Sequence, residues 1–100
     1  MSGGDWKQLF KGVQENDYEL VSYYLRCGID PNYQHPEYMA LPLAECIRYN
    51  HYEIAELLLQ HGADPSIIEA ESRATPLQTA VKRKQTRFVE LLSGYVKEIK

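Results

Sequence analysis

Residues Leu41 to Ser66, LPLAECIRYNHYEIAELLLQHGADPS, decide the fold. Pro42 stands where a helix begins, at a first-turn position that tolerates a missing N–H. Leu43, Cys46 and Ile47 recur at i, i+3 and i+4, so one face of a short helix is apolar. Asn50-His51 interrupts that pattern, Asn being the residue after Gly that best tolerates a left-handed turn. Ile54, Ala55, Leu57, Leu58 and Leu59 then form a wider apolar stripe on a second helix. Gly62 closes it at a position that favours left-handed backbone, and Asp64-Pro65 turns the chain outward.

Two helices this short are marginal in water and leave most of their apolar surface unburied. The unit therefore needs neighbours, and the sequence supplies them. A shift of 34 places upstream lays Leu9 on Leu43, Val13 on Ile47, Asn16 on Asn50, Leu20 on Ile54 and Gly28-Ile29-Asp30-Pro31 on Gly62-Ala63-Asp64-Pro65. The same shift downstream lays Pro76-Leu77 on Pro42-Leu43, Ala80 on Cys46, Phe88 on Ile54 and Leu91-Leu92 on Leu57-Leu58. Neither comparison needs a gap. A fixed period in this range is the signature of stacked repeats.

The residues that recur are TPLQTAV at Thr75 to Val81, NHYEIAELLLQHGADPS at Asn50 to Ser66, and NDYELVSYYLRCGIDPN at Asn16 to Asn32. Their pattern of T-P-L-H-x-A-A, G-H-x-E-I-V, L-L and G-A-D-P/V-N resembles the ankyrin repeat, and it covers about Trp6 to Tyr95. The resemblance implies an all-α solenoid of helix–turn–helix units with short β-hairpin or loop fingers projecting between repeats. Repeats are placed at about 6–38, 39–72 and 73–97 of a single domain, after a disordered leader at 1–5. Lys7-Gln8-Leu9-Phe10 replaces T-P-L-H, as suits a polar N-terminal cap, and the third repeat stops near Tyr95 as a C-terminal cap. Leu41 removes the usual hydroxyl N-cap from the middle repeat. Lys84 stands where Asn16 and Asn50 stand, which predicts a less regular turn there. Each finger is one residue longer than the family's usual 33-residue period allows.

Helices are expected from Trp6 to Gln14 with Asp5 as cap, from Asn16 or Asp17 to Arg26, Pro42–Tyr49, His51–Gln60, Pro76–Arg83 and Thr86–Val96. Pro31, Pro36 and Glu37 argue against long strands in the first finger. Trp6, Leu9, Phe10 and Val13 should face inward, and Tyr23 and Tyr24 should be mostly core.

Composition sets the same bounds. The chain of 100 residues is one small domain, 44% hydrophobic and 25% charged. A net charge of −3 argues against nucleic acid and anionic membrane as partners. No apolar run approaches the ~20 residues that span a bilayer, and Met1 to Asp5 is too short and polar for a signal peptide. The two cysteines, Cys27 and Cys46, fall on different elements of the repeat, which reads as two free thiols and a reduced, cytoplasmic setting.

The sequence carries little chemistry. His35, His51 and His61 have no partner at metal-ligand spacing, and His51 reads as a backbone-bonded turn residue. There is no glycine-rich phosphate loop. Glu53 and Glu56 read as a solvated face, and Ser93-Gly94 has no accompanying base. The reading is a non-enzyme with no cofactor and no metal, acting as a monomer.

Binding is what remains. By position, the resemblance implies a concave row of Gln14-Glu15, Arg48-Tyr49 and Lys82-Arg83, each pair 34 residues from the next. The fingers add Tyr33, Tyr38 and Met39, then Ile67, Ile68, Glu69 and Arg73. Tyr, Met and Arg are enriched at interface centres. The candidate partner-binding set is Glu15, Tyr33, Tyr38, Met39, Arg48, Tyr49, Lys82 and Arg83. Arg48 and Tyr49, at its middle, are expected to serve binding without affecting stability. The implied function is an adaptor, inhibitor or immunity-type module for another protein; the alternative is a natural or designed scaffold without a partner.

Because a repeat buries its apolar face only against its neighbours, deleting Thr75 to Lys100 is expected to abolish cooperative unfolding. Thermal and urea melts followed by circular dichroism check this, and a sharp transition in the truncated chain would refute the single stack.

Overall fold

The computed structural model describes residues 3–96. Six helices follow one another: α1 (Gly3–Gln14), α2 (Tyr18–Arg26), α3 (Pro42–Tyr49), α4 (Tyr52–Gln60), α5 (Pro76–Lys82) and α6 (Thr86–Ser93). They pair in sequence as α1 with α2, α3 with α4 and α5 with α6. Between repeats α3 lies between α1 and α5, while α2 packs on α4. The first helices of the three units therefore form one row.

The core follows the repeat phase. Trp6, Leu9, Phe10 and Val13 of α1 are buried, as are Cys46 and Ile47 of α3 and Ile54, Ala55 and Leu58 of α4. Tyr23 departs from the expected core: it is 53% exposed, because Val21 and Leu25 hold the buried stripe of its helix. Tyr24 packs only partly against the core.

Helix α1 begins at Gly3, so Gly3 to Asp5 belong to its first turn and not to a leader. Asp5 is therefore a first-turn residue and not the cap, placed where a carboxylate favours the positive helix end. Met1 and Ser2 lie outside the described residues, as do 97–100. Asp17 caps α2 by accepting from the Leu20 N–H. Helix α6 ends at Ser93, short of Val96, with Gly94 as its C-cap.

Every turn between paired helices closes in the same way. The N–H groups of Asp17, His51 and Gln85 donate to the carbonyls of Gly12, Cys46 and Ala80, five residues earlier. Asn16, Asn50 and Lys84 take the left-handed conformation that this closure requires. Lys84 thus makes the same regular turn as the asparagines, with φ 57° against 58° and 61°. Lysine pays about 1–2 kcal/mol for that backbone, and the neighbouring hydrogen bonds impose it. Gly28 and Gly62 close α2 and α4 similarly.

The fingers are loops. Among the described residues there is one isolated antiparallel bridge, Glu69 with Ala74, and no β-hairpin ladder. Side-chain amides replace the ladder. Asn32 accepts from the Asp64 N–H and donates to the Gly62 carbonyl, while Gln34 accepts from the Ala70 N–H and donates to the Ile68 carbonyl. Each amide offers one donor and one acceptor, as a peptide group does. The first finger is thus sewn onto the second.

Leu58 is fully buried among the middle repeat's neighbours. Leu58→Ala is expected to destabilise the protein by about 2–5 kcal/mol, through lost transfer energy and the cavity left behind. Urea titration measures it, and a loss under about 1 kcal/mol would contradict this packing.

Candidate interaction groove

The first-helix row meets the fingers along a groove made of three open clefts. One, of about 460 Å³, lies at the N-terminal end and includes Lys7, Lys11, Glu15, Phe10 and Tyr38. The next, of about 490 Å³, shares Phe10, Gln14 and Tyr38 with the first and adds Ala40, Glu45, Arg48, Glu71 and Ser72. The third, of about 360 Å³, shares Arg48 and Ser72 with the second and ends on Lys82 and Arg83. The shared walls make them one groove, running past α1, α3 and α5.

Its floor is held by a chain of charges. Glu69, in the second finger, has 0% of its surface exposed. Its carboxylate takes Nη1 and Nη2 of Arg48 at 2.8 Å each and the Leu41 N–H at 2.9 Å. Arg48 Nε donates to Glu45 at 2.9 Å, and Glu45 in turn accepts from Gln14 Nε2 at 2.8 Å. The network therefore joins α1, α3 and the second finger. Burial pushes the Glu69 carboxyl upward, but the Arg48 bond, the Leu41 N–H and the Arg48 charge outweigh it and hold the group below the ordinary carboxylate range. The Glu69 bond likewise holds Arg48 protonated, above its ordinary value, against its own burial.

Glu69 also supplies half of the capping box that the middle repeat lacks. In the third repeat the Thr75 hydroxyl accepts from the Gln78 N–H, and the Gln78 side chain accepts from the Thr75 N–H. Leu41 has no hydroxyl and makes no side-chain cap. Its own N–H is satisfied instead by Glu69, 28 residues on.

Two expectations are corrected here. Glu69 is not a solvent-facing finger residue but the buried partner of Arg48. Arg48 is not indifferent to stability, since three of its donors are committed within the chain. No sequence signal short of this three-dimensional pairing marks Glu69, because a lone acidic residue in a loop reads as solvated.

Of the other candidates, Glu15, Tyr38, Lys82 and Arg83 line the groove. Tyr33, Met39 and Tyr49 are exposed but lie outside its walls. Tyr38 doubles as scaffold, its ring packing edge-on against Trp6 and Phe10. The wall residues Phe10, Glu45, Glu71, Ser72 and Thr79 were not singled out by position. Met39 and the equivalent Arg73 both have left-handed backbones, at φ 52° and 61°, an uncommon conformation for side chains of this size.

The histidines serve structure. His51 Nδ1 donates to the Val13 carbonyl at 2.7 Å, and in the next repeat Gln85 Nε2 donates to the Ile47 carbonyl at 2.8 Å. His35 is buried beside Trp6, and its Nδ1 accepts from the Glu37 N–H. Among the described residues no cluster of His, Cys, Asp and Glu could hold a metal ion. Cys46 is buried, which pushes its thiol far above the usual range, while Cys27 is exposed at the end of α2.

Helix pairs with left-handed closures, repeated at one period and joined by fingers, are what the ankyrin pattern requires. The family model for ankyrin repeats, in 3 copies, matches residues 9–100. The chain belongs to the ankyrin repeat family. A comparison with curated proteins gives no match. Ankyrin repeats are generally protein–protein interaction modules, and the family is generally non-catalytic. Among the described residues no helix is long and apolar enough to cross a membrane.

Removing Arg48 would leave the Glu69 carboxylate buried and unpaired. Arg48→Ala is therefore expected to destabilise this ankyrin protein by about 2–4 kcal/mol, read from urea melts at pH 7. The folded carboxyl lies below its unfolded value of about 4.3, so its contribution is complete above that pH. It is lost as pH falls through the lower folded value. Glu69→Gln should accordingly be less stable than the native chain at pH 7, with the gap narrowing below about pH 4.

Proposed function

We propose that this ankyrin chain is a non-catalytic, cofactor-free interaction module that binds another protein in the groove between its first helices and its fingers. It works as a monomer in the cytoplasm, as an adaptor, an inhibitor or an immunity-type protein. The observation that carries this reading is the continuity of the three clefts along α1, α3 and α5. The surface around them supports it, since Tyr33, Tyr38, Met39 and Tyr49 remain exposed. A scaffold without a partner would favour Lys, Glu or Asp at such positions. Left-handed backbone at Met39 and Arg73 fits contact residues kept despite local strain. Nucleic acid is disfavoured by the net charge of −3.

Affinity capture from the source cells followed by titration of variants tests the assignment. Tyr49→Ala with Tyr33→Ala, on the rims flanking the groove, should weaken binding by about 2 kcal/mol. Lys82→Ala with Arg83→Ala should act mainly on the association rate and its salt dependence. Glu53→Ala with Glu56→Ala, on α4, should do nothing. A larger loss from the α4 pair than from the tyrosine pair would refute the groove, and the absence of any specific partner would favour the scaffold.

A further inference from the structure

The C-terminal cleft of the groove has a composition unlike the rest. Its walls are Arg48, Ser72, Ala74, Thr79, Lys82 and Arg83, and no carboxylate lines it. Arg48 is neutralised by Glu45 and Glu69, but Lys82 and Arg83 form no ion pair among the described residues. Arg83 spends two contacts on Gln85 and the Arg48 carbonyl, which leaves donors of its guanidinium uncommitted. Thr79, on α5, also lines the cleft. Two unpaired cations and two wall hydroxyls, Ser72 and Thr79, thus converge on a cleft of about 360 Å³ in a protein of net negative charge. The neighbouring cleft reaches back to α1 and offers the exposed Tyr38 ring, which rests edge-on against the buried Phe10.

We propose that the groove takes an extended acidic segment of a partner protein, its Asp or Glu carboxylates held by Lys82 and Arg83 and an apolar side chain packed on the exposed ring of Tyr38. The proposal rests on the groove reading above and adds the chemistry of the partner. Charge complementarity selects the carboxylates. A nucleic-acid backbone is disfavoured because the cleft it would enter next carries Glu71, and its one cation, Arg48, is already paired. Spacing sets the register. Neighbouring helices lie roughly 8–10 Å apart and an extended chain advances about 3.3 Å per residue. The Tyr38 ring rests on α1 and Lys82 lies on α5, two such spacings apart with α3 between them, so the apolar and acidic positions should be about five to six residues apart.

Two pools of synthetic tridecapeptides test this, with Glu-Glu-x-x-x-x-Phe-x-x-x-x-Glu-Glu in one and Gln-Gln-x-x-x-x-Phe-x-x-x-x-Gln-Gln in the other, x being randomised. The symmetric design covers both chain directions. At ~0.15 M salt the glutamate pool should be retained on the immobilised protein roughly threefold to tenfold more than the glutamine pool. In the ¹⁵N-labelled protein it should shift the amides of Thr79, Lys82 and Arg83. Lys82→Ala with Arg83→Ala should erase the difference between pools while shifts at Phe10 and Tyr38 persist. Equal shifts from both pools would leave the groove standing and overturn the carboxylate site. Shifts at no groove amide from either pool would overturn both. A single-stranded oligonucleotide that moves Thr79, Lys82 and Arg83 more than the glutamate pool does would overturn the proposal in favour of phosphate.

Discussion

The carboxylate of Glu69 is a charge taken wholly out of water, and such a group is tolerated only when its lone pairs are filled. Three donors from α3 and its cap fill them: two from the Arg48 guanidinium and one from the Leu41 N–H. The consequence extends past one ion pair. Arg48 also holds Glu45, and Glu45 holds Gln14 of α1, so one connected network fixes the second finger, the middle repeat and the first repeat in register. The same carboxylate takes the Leu41 N–H, the half of the capping box that the Gln78 side chain fills in the third repeat.

A stack of repeats has contacts only between neighbours, so its coherence depends on what crosses each junction. Apolar burial crosses everywhere, but it is not directional. Direction comes from hydrogen bonds that recur with the period. His51 reaches the Val13 carbonyl and Gln85 reaches the Ile47 carbonyl, two equivalent bonds one repeat apart. Asn32 and Gln34 do the corresponding work between fingers. Histidine at the first junction and glutamine at the second do the same work, because each presents a donor at a similar reach.

This division of labour gives the groove its character. The floor is rigid because its polar groups are spent on one another, and Arg48 is the clearest instance. What stays available lies on the walls and rims: the rings of Tyr38 and Tyr49, the Met39 side chain, and the cations Lys82 and Arg83. A preorganised surface of this kind loses little entropy when a partner docks, which is the usual source of useful affinity from a modest area.

The sequence by itself determined the period, the helices and the inward face of each. Those follow from spacing along the chain, and Trp6, Leu9, Val13 and Leu58 are buried as their phase requires. It also placed His51 on a backbone carbonyl and Glu15, Tyr38, Lys82 and Arg83 along one surface, because equivalent positions of a repeat line up in space. Only the tertiary structure decided the fingers and the state of Arg48. Loops carry no period, so nothing in Gly28 to Ala40 announces that Asn32 and Gln34 stand in for strand pairing. Nothing local distinguishes a Glu69 that is buried from one that is solvated. Lys84 makes the same point in reverse: its intrinsic preference opposes the left-handed turn, and the closure of α5 against α6 overrides that preference with bonds from the chain on either side.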